Sequence, residues 1–519
     1  MSLARSTLVV GLATAVSRLL GFARDILIAG TLGAGPVADA FLVAFRLPNL
    51  FRRILGEGGL NAGFVPLYAR LRAERGDAEA REFAGEALAW LAMALVALLA
   101  AVELGAGLVV LGLAAGYAEE DATFRLATLY TRVAFPFVAG VTLASLLAAL
   151  LNAERRFAAA SLAPVAVNAV LIAALLLLQT RPDLPPSRSA FWLAAAVAIS
   201  GVVHLAIVAV AARGFLATIR FRRLRLSADL RRLFALGASG LAASGAAQFI
   251  VVAGTQVASF TPSAVSWLYY ADRVFQLPLG FVGSALGIVL LSDMAARHAE
   301  GDWDGFAASQ NRALEWALLL ALPAAMALLI LAYPIAASLF QHGAFTPLDT
   351  AGTAAALTGL APGLPLAVAG KVFSQSFFAR GEVQVALLGG VIGVAATVIA
   401  TLMLAPGLGI LGIGLGMSLG FAAHAGALAW ALRGTGSWRP DGRLRARGPR
   451  ILAATAIMGA MLVGAGLLAD AMAGPLRAPG LEALLLGGFC LGGLLVYLGA
   501  AFWLGAVTRA DLAALRRAP

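Results

Sequence analysis

Residues 17–69 read SRLLGFARDILIAGTLGAGPVADAFLVAFRLPNLFRRILGEGGLNAGFVPLYA. Two runs within or overlapping this stretch, 7–32 and 37–58, have the roughly 20 predominantly apolar residues that a helix needs to cross a bilayer core. Both are broken by charge. Arg18, Arg24 and Asp25 lie in the first run, and Asp39, Arg46, Arg52, Arg53 and Glu57 in the second. On a helix, Arg18 and Asp25 return to nearly the same face, with Arg24 about 100° away, and Gly21 between them permits a bend. Asp39, Arg46 and Arg53 repeat every seven residues and share a face, with Pro48 loosening the helix between them.

The remainder of the chain has the same character. Of its 519 residues 61% are hydrophobic and only 13% charged, with a mean hydropathy of +0.90. A water-soluble domain carries about a quarter charged residues, so a cytosolic enzyme is excluded, and so is a disordered chain. The sequence is that of an integral membrane protein. Its net charge of +11 and pI near 10.8 sit in short clusters between apolar runs, which is a topology signal and points away from a nucleic-acid partner. The first run lacks a small-residue cleavage site at the right distance and is expected to be a retained span. The lone Cys490, in LLLGGFCLGG, excludes an intrachain disulfide and is expected to be a small buried hydrophobe.

Fourteen spans are expected, at 7–32, 37–58, 84–115, 124–150, 158–179, 189–212, 235–260, 264–291, 313–333, 350–378, 384–405, 409–432, 450–472 and 481–506. An even number puts both termini on one side. Of the 38 Lys and Arg, 26 then fall on that side, 4 on the other and eight inside the spans, so the positive-inside rule places both termini in the cytoplasm. The basic stretch RGFLATIRFRRLRLSADLRR, residues 213–232, joins two six-helix halves and suits an anionic leaflet.

The eight intramembrane cations are Arg18, Arg24, Arg46, Arg52, Arg53, Arg132, Arg273 and Lys371. A charge at the bilayer centre costs a few kcal/mol or more unless it faces water or a buried partner. Asp25, Asp39, Glu57 and Asp272 could pair with Arg24, Arg46, Arg53 and Arg273 simply to lock helices together. Within the first, second and eighth spans, six arginines (Arg18, Arg24, Arg46, Arg52, Arg53 and Arg273) against four carboxylates nevertheless leave a positive surplus, which calls for an anionic guest. The planar guanidinium fork, charged at any relevant pH, suits phosphate. His204 and His424 lie in spans without a carboxylate nearby in sequence and are expected to pack, while His298 and His342 lie in or near loops. In GILGIGLGMSLG, Gly412, Gly416 and Gly420 stand one turn apart, which favours close helix contact. No nucleotide-binding loop, metalloprotease motif or nucleophile elbow occurs in a plausible setting, so catalysis is not expected.

The stretch 17–69 closely resembles the start of the MurJ (MviN) family of lipid II flippases. The likeness resumes at LYYADRVFQLPLGFVGSALGIVLL, NRALEWALLLALPAAMALLILAYPI and SLFQHGAFTPLDT and covers nearly the whole chain. It implies an all-α polytopic fold of the multidrug, oligosaccharidyl-lipid and polysaccharide exporter superfamily: fourteen helices, two six-helix lobes around a central cationic cavity, and two further carboxy-terminal helices. The expected domains are an N-terminal lobe at 1–212, a basic linker at 213–234, a C-terminal lobe at 235–433, a basic loop at 434–449, a lipid-tail groove at 450–506 and a cytoplasmic tail at 507–519.

The resemblance also implies the activity, which is movement of the undecaprenyl-diphosphate-linked peptidoglycan precursor from the inner to the outer leaflet of the bacterial cytoplasmic membrane by alternating access. By motif position Ser17, Arg18, Arg24, Asp25, Arg52 and Arg273 look like substrate-binding residues, with Asp39, Arg46, Arg53, Glu57, Asp272 and Lys371 as cavity or gating charges. Lipid II and membrane lipids are the implied partners, and cell-wall synthesis proteins are further candidates. No cofactor or metal is expected. Some relatives couple to sodium through acidic and amide side chains in the seventh, eleventh and twelfth spans, but here the eleventh, ALLGGVIGVAATVIATLMLA, has neither. Sodium is therefore disfavoured, and the membrane potential is the open option. Three rivals stand beside this reading. An exporter of another lipid-linked sugar, such as an O-antigen or capsule precursor, would also need a cationic cavity. A drug/cation antiporter would want surplus acid, and a non-transporting scaffold would leave the intramembrane arginines unexplained.

Overall fold

Apolar runs of span length fold as helices because in hydrocarbon each backbone N–H and C=O must find its partner within its own segment. The computed structural model describes residues 3–51, 60–218, 226–472, 481–509 and 511, and among them there is no strand. The helices run, in chain order, α1 Leu3–Leu32, α2 Pro36–Phe51, α3 Leu60–Arg75, α4 Asp77–Leu113, α5 Asp121–Ala134, α6 Pro136–Ala153, α7 Ala158–Gln179, α8 Pro186–Ala211 and the one-turn α9 Arg213–Leu216. They continue with α10 Ala228–Ala258, α11 Ala264–Glu300, α12 Trp303–Ile330, α13 Ala332–Phe340, α14 Pro347–Leu360, α15 Gly363–Ala379, α16 Val383–Gly434, α17 Gly442–Met472 and α18 Leu481–Trp503.

Over its described residues each of the fourteen expected spans falls mostly on helix, although ends, breaks and junctions differ from the one-span-one-helix picture. The stretch 124–150 is two helices, α5 and α6, meeting at Phe135, where Pro136 has no N–H to continue the ladder. The stretch 350–378 is α14 and α15, bent by 46°. The eleventh and twelfth expected spans form one 52-residue element, α16, broken at Gly409, whose φ of 57° a side-chain-bearing residue rarely adopts. Among the described residues eight helices are long and apolar enough to cross a membrane, or nine if the bent pair counts as one span. α1 and α11 are not among the eight, and they hold Arg18, Arg24, Asp25, Asp272 and Arg273.

The helices divide into two compact units, one of residues 1–248, 259–266 and 342–346 and the other of 249–258, 267–341 and 347–519. In the first unit, Phe64, Tyr68, Phe83, Leu146, Leu150, Leu230 and Leu233 bury one another where α3, α4, α6 and α10 begin or end. Ion pairs rim this core: Arg72 to Glu154 at 3.0 Å and Arg75 to Asp229 at 3.2 Å. Burial pushes the Tyr68 phenol up to about 12, so it stays protonated and donates to Glu154.

In the second unit α17 and α18 pack on α12 through Leu319, Ile451, Ala454, Met458, Leu462, Tyr497 and Ala501. The Tyr497 hydroxyl donates to the Leu319 carbonyl at 2.6 Å. Beside this core Glu315, with a side chain only 5% exposed, accepts from Arg443 at 2.9 Å and from Arg447. The same two arginines also reach Asp511, at 2.7 and 2.9 Å. Hydrogen bonds from Thr508 and Arg447 outweigh the burial of Asp511 and hold its carboxyl well below the usual range. The glycine ladder packs as its spacing predicts: an added Cβ at Gly416 would run into Thr401, and one at Gly420 into Thr397, on the other arm of α16.

Cys490 departs from expectation. It is exposed on the surface of α18. A helix that is apolar all round gives no sequence signal separating its lipid-facing side from its packed side.

Candidate anion-binding site

In the first unit, α1 carries Arg24 and Asp25 on adjacent residues, both buried at 8% and 2% exposure. Although their Cα atoms are about 100° apart around the helix, the long arginine side chain curls back. Nε and Nη2 donate to Asp25 Oδ1 at 3.0 and 2.7 Å. Nη1 donates to Asn168 Oδ1 of α7 at 3.0 Å, and the guanidinium carbon lies 5.0 Å from the centre of the Phe45 ring. Withdrawing an ion pair from water is costly unless further hydrogen bonds satisfy it, and Asn168 supplies one. Asn168 in turn donates to the Ser17 carbonyl at 3.0 Å, close to the Ser17 hydroxyl at 3.4 Å. Arg18 is exposed on the same helix and Arg46 of α2 is half-buried.

Asp39 has hydrogen bonds that helical spacing did not suggest. Its alignment with Arg46 along α2 pointed to a lock between those two residues. Its carboxylate instead accepts from the backbone N–H of Ser263 and of Ser266, each at 2.9 Å, and from the Ser266 hydroxyl. Ser263, with φ 66°, directly precedes α11. Asp39 thus performs from α2 the capping that a side chain at the helix start ordinarily performs, and a negative charge there favours the helix dipole.

In the second unit, α11 carries Asp272, 2% exposed, and the half-buried Arg273. Arg273 Nη2 lies 3.4 Å from Asp272 Oδ2, and its guanidinium stacks over Tyr269 at 4.7 Å. Gln276, one turn on, donates to the same Asp272 oxygen. Lys371 is exposed on α15. The structure therefore gathers Ser17, Arg24 and Asp25 in the first unit and Asp272 and Arg273 in the second. Arg52, Arg53 and Glu57 lie outside the described residues, as do 219–225 of the basic linker.

Asn168, Ser263 and Ser266 were missed from sequence. Asn168 had a findable signal, being the one amide in the apolar run APVAVNAVLI, where an unsatisfied polar group is costly. The two serines had none, because their partner lies 224 and 227 residues away. Arg132 is exposed and donates to the Glu103 carbonyl. His424 is buried against Gly370, Gly389 and Gly393, a packing role. Among the described residues no group of three or more His, Cys, Asp or Glu side chains could hold a metal ion. Two guanidiniums set against aromatic rings, each tethered by a neighbouring carboxylate, make donors for phosphate oxygens.

The sequence model of the family described as "Lipid II flippase MurJ" matches residues 28–472. The chain is 38% identical over 525 residues to a probable lipid II flippase MurJ of Rhizobium meliloti, covering 100% of this chain and 96% of the relative. It is 30% identical over 446 residues to the lipid II flippase MurJ of Burkholderia cenocepacia, covering 85% and 86%. Among solved structures it is similar to a lipid II flippase MurJ in an inward closed conformation, with a TM-score of 0.76, 22% identity, and coverage of 95% and 98%. An inward-facing multidrug-resistance transporter of the MATE family, within the MOP superfamily, gives a TM-score of 0.67 at 18% identity, covering 81% and 95%. These structural likenesses establish the fold.

Proposed function

The chain belongs to the MurJ family of lipid II flippases, and we propose that it moves lipid II, the undecaprenyl-diphosphate-linked peptidoglycan precursor, from the inner to the outer leaflet of the bacterial cytoplasmic membrane. The observation that carries the reading is Arg24, an arginine buried on α1 and held by Asp25 and Asn168. Asp25 and Asn168 offset the cost of burying that charge, and the guanidinium so held is set to donate to the phosphate oxygens of an anionic headgroup. Arg273 on α11, steadied by Asp272 and Tyr269, is the second such donor. Arg18, Arg52 and Ser17 complete the proposed substrate-binding set, with Asp39, Arg46, Arg53, Glu57 and Lys371 as gating charges.

The headgroup is taken up at the cytoplasmic leaflet, and the guanidiniums replace its hydration. The protein then exposes it outside by alternating access while the prenyl tail stays in lipid. The carboxylates keep the empty site from repelling itself and exchange partners with phosphate as it arrives and leaves. Both termini face the cytoplasm, as the 26 to 4 partition of basic residues supports, and membrane potential acting on the charged site is the proposed drive.

The experiment is complementation. Bacteria depleted of their own flippase and expressing this chain should regain lipid II exposure at the outer leaflet, and Arg24→Ala or Arg273→Ala should lose it at unchanged membrane insertion. Undiminished exposure in either variant would overturn the arginine mechanism. No rescue by the correctly inserted wild type would favour another lipid-linked sugar as cargo.

A further inference from the structure

We propose that Asn168 is a positioning residue that presents Arg24 to the anionic headgroup, an inference that rests on the flippase reading above. Asn168 stands on α7, which packs along α1, and is 7% exposed. Its two ends do different work. The carbonyl oxygen accepts from Arg24 Nη1 at 3.0 Å. The amide nitrogen donates to the Ser17 carbonyl at 3.0 Å and to the Pro164 carbonyl, one turn back on its own helix, at 3.3 Å. With backbone carbonyls around the nitrogen, a flipped amide would set oxygen against oxygen and nitrogen against guanidinium, so the orientation is fixed by its surroundings. Gly21 on the facing side of α1 leaves room: an added Cβ there would just touch the Asn168 amide, at 3.7 Å.

The guanidinium is thereby held on three sides, by Asp25 through Nε and Nη2, by Asn168 through Nη1, and by the Phe45 ring beneath. These contacts engage one N–H on each nitrogen and leave one on each of Nη1 and Nη2, the donors with which arginine makes its fork to phosphate. Because an amide is neutral, it orients the guanidinium without subtracting from its charge. Asp25 already balances that charge once. A second carboxylate at 168 would give the group a net negative charge and repel a diphosphate. Charge bookkeeping of this kind separates positioning from plain helix packing. For packing, either substitution acts through the fold and lowers the melting temperature: Asn168→Leu loses all of these hydrogen bonds, and Asn168→Asp, though still able to accept from Arg24, sets a carboxylate oxygen against the Ser17 and Pro164 carbonyls.

Positioning instead predicts a loss of affinity beyond what the melting temperature accounts for. The test measures binding of purified lipid II to the full-length protein in detergent for wild type, Asn168→Leu and Asn168→Asp, with melting temperature recorded for each. Asn168→Leu should weaken affinity about tenfold, the scale of one hydrogen bond to a charged group, and Asn168→Asp should weaken it further. Should Asn168→Leu fail to fold, the isosteric Asn168→Asp still decides: affinity equal to wild type overturns the inference, and a loss of affinity at unchanged melting temperature supports it. Asn168→Asp binding better than Asn168→Leu, or Asn168→Leu binding like wild type, assigns the residue to packing. Failure of the wild type itself to bind lipid II counts against the flippase reading, a result distinct from either of these.

Discussion

Asp39 of α2 caps α11 through Ser266, accepting from both its backbone N–H and its hydroxyl. A carboxylate 2% exposed would be expensive without partners, and a helix start without a cap leaves orphan N–H groups, so each solves the other's problem. Asp39→Ala should therefore destabilise the protein by about 1–2 kcal/mol, the range for losing a helix cap. Asp39→Asn, which keeps one acceptor oxygen, should lose less. Thermal melts in detergent check the order, and an Asp39→Ala melt equal to wild type would show that the cap contributes nothing.

Glu315 is the hub of the cluster holding α17 to α12. Removing it strands Arg443 and Arg447 beside Asp511 alone, and breaking a buried charge pair typically costs about 3–5 kcal/mol. Glu315→Ala should speed hydrogen exchange along α17 and α18 while leaving α1 to α8 unaffected. Unchanged exchange in the last two helices would mean that the apolar core of Leu319, Ile451, Met458 and Leu462 suffices to hold them.

The same cluster predicts a pH response. The Asp511 carboxyl is held below its ordinary value, so its contribution is fully present above the unfolded carboxylate pKa of about 3.9 and is lost as pH falls toward the folded value. Stability should fall off on acidification below about pH 4, and Asp511→Asn should remove part of that slope while lowering stability at neutral pH. An identical acid slope in the variant would place the titrating groups elsewhere.

Gly420 lets the arms of α16 meet at Thr397. Gly420→Val would need the arms to separate, and overpacking of this kind costs about 1–3 kcal/mol. The variant should lower the melting temperature by several degrees, whereas Gly426→Val, at a position with open space around it, should be neutral. Equal effects at both positions would reduce the result to loss of glycine flexibility.

The sequence by itself determined the membrane class, the helical fold and which charges interrupt apolar runs. Span length, hydropathy and the cost of an arginine in hydrocarbon are local properties, legible wherever about 20 residues are read together. The long motif at 17–69 fixed the family for the same reason, since it is contiguous. Local spacing could not say what each charge meets. The pairs Arg24–Asp25 and Arg273–Asp272 were within reach of a local reading, but Arg24 also turned to Asn168, 144 residues on, and Asp39 turned to the start of α11. Nor could it tell the exposed Cys490 from a buried one, or show that Glu315, Arg443, Arg447 and Asp511 form one cluster. Those outcomes depend on which helices pack together, and a hydrogen bond across helices leaves no periodic trace in either partner's sequence. Only the tertiary structure brings its two ends within reach.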